Sequence, residues 1–167
     1  SNASDKIADI IVNAINSCKD RKFRLGLTTG STPASLYTRL KRAYDEGRVS
    51  FRNVEVYSID EYYPYGKDEP QSRNMRLRSA LLDGIDIPEE NIHIPDGSVP
   101  QERISEYCAE YDKAFRGLDL LVIGMGEQGQ IGFNEAGTSL KSRTRTVLLS
   151  YHSRKRQGRF FNGDFKH

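Results

Sequence analysis

The chain has little of what several protein classes require. Its longest uncharged apolar run falls far short of the roughly 20 residues that cross a bilayer as a helix, so a helical membrane protein is excluded. Ser1-Asn2-Ala3 carries no charged n-region and reads as an expression remnant, to be set apart from a single domain over residues 4–167. There are two cysteines, Cys18 and Cys108. Each falls on the apolar side of a predicted helix, which points to buried free thiols in a reducing cytoplasm. His93, His152 and His167 show no metal-ligand spacing, and no triad of nucleophile, base and acid is visible. A net charge of +2 gives no global attraction to nucleic acid or to a membrane. No repeat, low-complexity tract or linker interrupts the 167 residues, a length that suits one domain with a sizeable core. With 37% hydrophobic and 29% charged residues the chain is polar, yet too apolar and aromatic for disorder.

What is present alternates. Ile7, Ile10, Ile11, Ala14, Ile15 and Cys18 recur at helical spacing and predict a helix over 5–19. Phe23–Leu27 reads as a strand, 28–32 as a loop, and Pro33 as the start of a helix with Thr32 at its N-cap. Leu36, Tyr37, Leu40, Ala43 and Tyr44 give that helix one apolar stripe, and Gly47 ends it. Further strands are expected at 54–59, 92–94, 118–123 and, more weakly, 146–150, with helices at 71–83 and 104–115. Strands alternating with helices predict an α/β fold: a Rossmann-like, three-layer αβα arrangement around a mostly parallel sheet.

Three segments carry candidate chemistry. The first is Gly124-Met-Gly-Glu-Gln-Gly-Gln-Ile-Gly-Phe-Asn-Glu135, which follows the apolar run 118–123. Its Gly-x-Gly-x-x-Gly spacing matches a dinucleotide fingerprint, but no clear helix follows and 142–146 contains no acid for a ribose. A ligand turn without a dinucleotide is the better reading. The second is Leu27-Thr28-Thr29-Gly30-Ser31-Thr32-Pro33, a strand, a hydroxyl-rich loop and a helix start, read as a phosphate cradle in preference to plain N-capping by Thr32, and without the lysine of a nucleotide P-loop. The third is Asp60-Glu61-Tyr62 at the carboxyl end of a strand, where a carboxylate can act as a general base, or else stand as a solvated acid or a helix cap. Arg154-Lys155-Arg156 with Arg159 forms a basic cluster, and a guanidinium can grip a phosphate with two hydrogen bonds. Arg159-Phe160-Phe161, with Phe165, places three aromatics at the end of the chain.

Taken together, these segments resemble the glucosamine-6-phosphate deaminase (isomerase) family, related to the 6-phosphogluconolactonases. The resemblance rests on 25–33, Ser58-Ile-Asp-Glu-Tyr62, Asn91-Ile-His-Ile-Pro-Asp-Gly97, 129–135, 138–145 and 159–161, in family order. It implies conversion of glucosamine 6-phosphate and water to fructose 6-phosphate and ammonia, within amino-sugar metabolism and without metal or organic cofactor. It implies a phosphorylated amino sugar as partner, with no nucleic acid or membrane, and a tendency to homo-oligomers. By position, Asp60 matches the aspartate that moves a proton between C2 and C1, and Glu135 a supporting glutamate. Thr29, Gly30, Ser31 and Thr32 match the phosphate loop, Arg159 a phosphate-binding arginine, and Gly126 a substrate-binding turn. Gln130 stands where the family has its ring-opening histidine, and Gln128 where it has the loop aspartate. Glutamine does not titrate near neutral pH, and a positioned acid/base contributes about 10²–10⁴-fold, so impaired ring opening is expected. The alternatives are a sugar-phosphate binder without turnover and a lactonase-like hydrolase. Family members extend past the point matched by His167, so the family's C-terminal part, with a further phosphate-binding lysine, is expected to be missing.

Overall fold

A computed structural model describes residues 3–30, 33–158 and 161. In chain order the elements are α1 (Ala3–Ser17), β1 (Phe23–Leu27), α2 (Ala34–Asp45), β2 (Val54–Ser58), α3 (Arg73–Ala80), β3 (Ile92–His93), α4 (Ile104–Ala114), β4 (Leu120–Leu121) and α5 (Tyr151–Gln157). The four strands form one parallel sheet in the order β3-β2-β1-β4. Chain order therefore reverses at β1, which has β2 on one side and β4 on the other. Small ligands bind at the carboxyl ends of the strands beside such a reversal.

Strand alternation assigns the two faces. Leu25, Leu27, Val54 and Val56 are fully buried against Ile11, Leu36 and Leu40 of α1 and α2 and against Leu77 of α3. The opposite face carries Arg24, which pairs with Glu55 at 3.2 Å, and Tyr57, which stacks on His93 and meets the edge of Phe115. On that side Tyr111 of α4 brings its hydroxyl to the carbonyls of Ser58 and His93, at 3.4 and 3.3 Å. Helices thus lie on both faces, as the alternation of elements predicted.

Two strand expectations changed. The strand expected over 118–123 is reduced to Leu120–Leu121, although Asp119 N–H and Val122 N–H still donate to the Arg24 and Gly26 carbonyls. It pairs on one side only among the described residues, which leaves Leu121 and Ile123 exposed. The segment 146–150 finds no ladder partner among the described residues and is not a strand; Leu148 is 87% exposed. The basic run 154–156 lies in a helix, α5, which Ser150 caps by accepting from Ser153 N–H. Cys18 and Cys108 are free as expected, but half-buried rather than buried. No described helix is long and apolar enough to cross a membrane.

The apolar face between the sheet, α1 and α2 provides most of the burial. Leu25→Ala is expected to cost about 2–5 kcal/mol, because it removes the transfer energy and leaves a cavity. Urea denaturation, with a lowered midpoint and unchanged slope, checks this.

Candidate functional site

The Asp60-Glu61 pair splits into two jobs. Glu61 accepts from Tyr62 N–H and Arg73 N–H at 2.7 Å each and from Asn74 N–H at 2.9 Å. It therefore caps α3 together with Ser72, whose hydroxyl accepts from Met75 N–H at 3.0 Å. Burial raises the Glu61 carboxyl above its ordinary range, opposed by those backbone donors. Asp60 instead stands in the wall of a cavity of about 1180 Å³ at the carboxyl end of β2.

Asp60 faces Arg73, which sequence reasoning did not single out. Arg73 Nε lies 3.5 Å from Asp60 Oδ1, with the two side chains 7% and 10% exposed. Among the described residues neither atom has a hydrogen-bond partner, so charge is what joins the pair there. The guanidinium lies against the rings of Tyr62 and Phe133, at 4.8 and 4.9 Å from their centroids, in two cation–π contacts. Its Nη1 donates to the hydroxyl of Thr29 and approaches the Thr29 carbonyl at 3.4 Å. One side chain thereby joins the loop after β1, the turn after β2 and the glycine-rich segment. The available signal was its place in the first turn of a helix, where a positive charge opposes the helix dipole. Burial pushes the Asp60 carboxyl up, and Arg73 pulls it back down.

The glycine-rich segment meets Asp60 at Gly132. There φ is +56°, and a Cβ would come within 2.7 Å of Ile59 Cδ1 and 3.2 Å of Asp60 Oδ2. Only glycine fits both conditions. Glu135 lines the large cavity and holds the start of α5: its carboxylate accepts from Ser150 N–H and the Ser150 hydroxyl, both at 3.0 Å. A hydrogen bond from the Ser153 side chain and those from Ser150 keep it below the ordinary carboxylate range. Tyr62 donates to Gln157 Oε1 at 2.7 Å, and Phe161 packs on Tyr62 and Tyr65, so one of the terminal aromatics is accounted for.

Gln128, Gln130 and Gly126 stand outside the walls of the cavity that holds Asp60. Gly126 N–H donates to the Gln130 carbonyl at 2.8 Å, and Gln128 N–H to Gln130 Oε1 at 3.0 Å. The Gln130 side chain folds over Gly126, where even a Cβ would collide with it. Thr29 and Gly30 line a second cavity of about 190 Å³ beside α2. Arg154 lines the large cavity, and Arg156 reaches Glu127 at 3.7 Å on the surface. Ser31, Thr32, Arg159, Phe160 and Phe165 lie outside the described residues. Among the described residues no three His, Cys, Asp or Glu side chains converge as metal ligands.

A parallel sheet with a buried acid at its carboxyl edge, beside a hydroxyl-bearing loop and a glycine-rich turn, defines an α/β protein with a cavity at the carboxyl end of its strands. Residues 1–159 match the family model of glucosamine-6-phosphate isomerases/6-phosphogluconolactonase, and the chain belongs to that family. It is 41% identical over 163 residues to glucosamine-6-phosphate deaminase of Yersinia enterocolitica, with 94% of this chain and 60% of that protein covered. Against glucosamine-6-phosphate isomerase of Candida albicans the identity is 41% over 165 residues, covering 97% of this chain and 65% of the relative. The solved structure of a monomeric glucosamine-6-phosphate deaminase superposes with a TM-score of 0.89 at 31% identity, over 96% of this chain and 66% of that one. A 6-phosphogluconolactonase from Thermotoga maritima shares the fold, with a TM-score of 0.64 at 22% identity, over 84% of this chain and 62% of its own. The chain spans 60–65% of the length of these two curated relatives.

Arg73→Met is expected to destabilise the protein by about 3–5 kcal/mol at neutral pH, since it leaves a buried carboxylate without its counter-charge. A raised folded-state pKa makes the contribution of Asp60 complete below its unfolded pKa and lost as pH rises through the folded one. Without Arg73 that pKa rises further, so the variant falls behind the parent progressively from the carboxylate range to neutrality. Urea titrations over a pH series check the sign: a deficit that does not grow with pH contradicts the pairing.

Proposed function

We propose that the chain binds a phosphorylated amino sugar and carries the isomerising half of a glucosamine-6-phosphate deaminase site. Asp60 is the proton-transferring group. The observation that carries this reading is Asp60 itself: buried at the carboxyl end of β2, in the wall of the large cavity, and paired in charge with Arg73. A carboxylate in the cavity wall can take a substrate proton, while the arginine stabilises the ionised form that a base requires. Glu135, fixed by Ser150 and Ser153, contributes a negative charge to the cavity wall. Thr29 and Gly30 receive the phosphate. The partners named in the relatives, and the resemblance in motif order, support this assignment of substrate class.

A second reading follows from the glycine-rich loop. Gln130 spends its side-chain oxygen on Gln128 N–H and packs over Gly126. A loop satisfied within itself suits a binder of sugar phosphate without ring-opening chemistry, or an enzyme for a substrate already in open-chain form. A lactonase-like hydrolase is the third reading.

Addition of glucosamine 6-phosphate, with ammonia release and binding heat followed together, separates these. Ammonia release at an ordinary enzymatic rate, abolished by Asp60→Asn, is the result for the deaminase; heat without ammonia is the result for the binder. Absence of both signals contradicts the substrate class. The double change Gln130→His with Gln128→Asp is expected to raise ammonia release by about 10²-fold or more where binding is intact. No gain would mean that the missing acid/base groups are not what limits turnover.

A further inference from the structure

We infer that α3 supplies an arginine pair, Arg73 and Arg76, that completes an anion site at the Thr29-Gly30 loop, with Arg76 as the side chain that meets the phosphate. The inference rests on the sugar-phosphate reading above and names a charge for the phosphate that neither the motifs nor the comparisons assign.

Arg73 and Arg76 are three residues apart on α3, so they project from the same side of the helix. That side faces the loop after β1. Arg76 forms the wall of the 190 Å³ cavity together with Thr29, Gly30, Ala34, Tyr37 and Ser79. It brings positive charge to a chamber whose other walls are small or hydroxyl-bearing. Arg73 acts from behind: its Nη1 donates to the Thr29 hydroxyl oxygen. A guanidinium has no acceptor, so that hydroxyl must turn its own proton towards another group. The neighbouring Tyr37 hydroxyl donates its own proton to the Thr28 carbonyl, so it does not compete as a donor in the loop. Thr29 is therefore set as a donor, Gly30 leaves the backbone uncovered beside it, and Arg76 provides the charge. Hydroxyl donor, open backbone and guanidinium in one small cavity form a site for a phosphoryl oxygen cluster. The Ser79 hydroxyl donates back to the Arg76 carbonyl at 3.2 Å, which leaves its oxygen as a wall atom rather than a donor to the ligand. Arg73 is a positioning residue in this arrangement: it reaches Thr29 from the Asp60 side, so occupation of the anion site and the charge state of Asp60 share one guanidinium.

Calorimetric titration of the full chain with inorganic phosphate and with glucosamine 6-phosphate tests this, with unfolding temperature followed in parallel. The parent is expected to bind both and to be stabilised by both. Arg76→Met is expected to weaken each about ten- to a hundredfold, the range for a lost charge-assisted contact, with Arg76→Lys recovering part of the loss. Thr29→Val is expected to weaken both ligands in the same direction. Should Arg76→Met fold poorly, Arg76→Gln carries the same expectation. Unchanged phosphate affinity in a folded Arg76 variant, with the parent binding normally, overturns the arginine assignment and leaves the sugar-phosphate reading standing. A parent that binds neither ligand overturns both.

Discussion

The ion pair between Arg73 and Asp60 is the constraint on which the site depends. Taking a carboxylate and a guanidinium out of water is costly, and their attraction offsets that cost only when the remaining groups are satisfied. Here the satisfaction is uneven. The guanidinium has two aromatic rings and a threonine, while the facing atoms of the pair lack hydrogen bonds among the described residues. Such a pair is a modest contribution to stability and a strong determinant of geometry. It fixes the loop after β1, the turn after β2 and Phe133 relative to one another, and these are the three places where ligand chemistry was expected.

The acids around it divide between architecture and chemistry. Glu61 caps α3 and thereby sets the helix that carries Arg73. Glu135 holds the start of α5, and α5 returns Gln157 to the hydroxyl of Tyr62, whose ring covers Arg73. Each cap orients a helix that reinforces the buried pair, so the site is supported by backbone donors rather than by further charges. Asp60 is left as the acid with no structural duty other than its pairing.

The glycine-rich turn bears on chemistry in an unexpected way. Its close approach to Asp60 occurs at Gly132, not at the glutamines. Gln128 and Gln130 are occupied in closing their own turn. Amides at these two positions thus coincide with a loop that is internally complete. Asp60 and its arginine do not depend on it.

Much of the fold was legible in the chain. Apolar spacing placed α1, α2 and α4, short apolar runs placed β1 and β2, and their alternation implied the parallel sheet. What failed were the segments whose state depends on a neighbour: 118–123 and 146–150 have strand composition, but a strand exists only where a ladder partner meets it. For the site, the sequence by itself determined that Asp60 sits at a strand end, that Thr29 and Gly30 form a hydroxyl loop, and that two amides occupy the glycine-rich turn, because these follow from residue type and local order. Tertiary structure alone decided that Glu61 and Glu135 hold helix starts, and that Arg73 and Arg76 belong to the site. Those facts rest on contacts between residues far apart in the chain, and a buried charge declares its partner only once the intervening segments have packed.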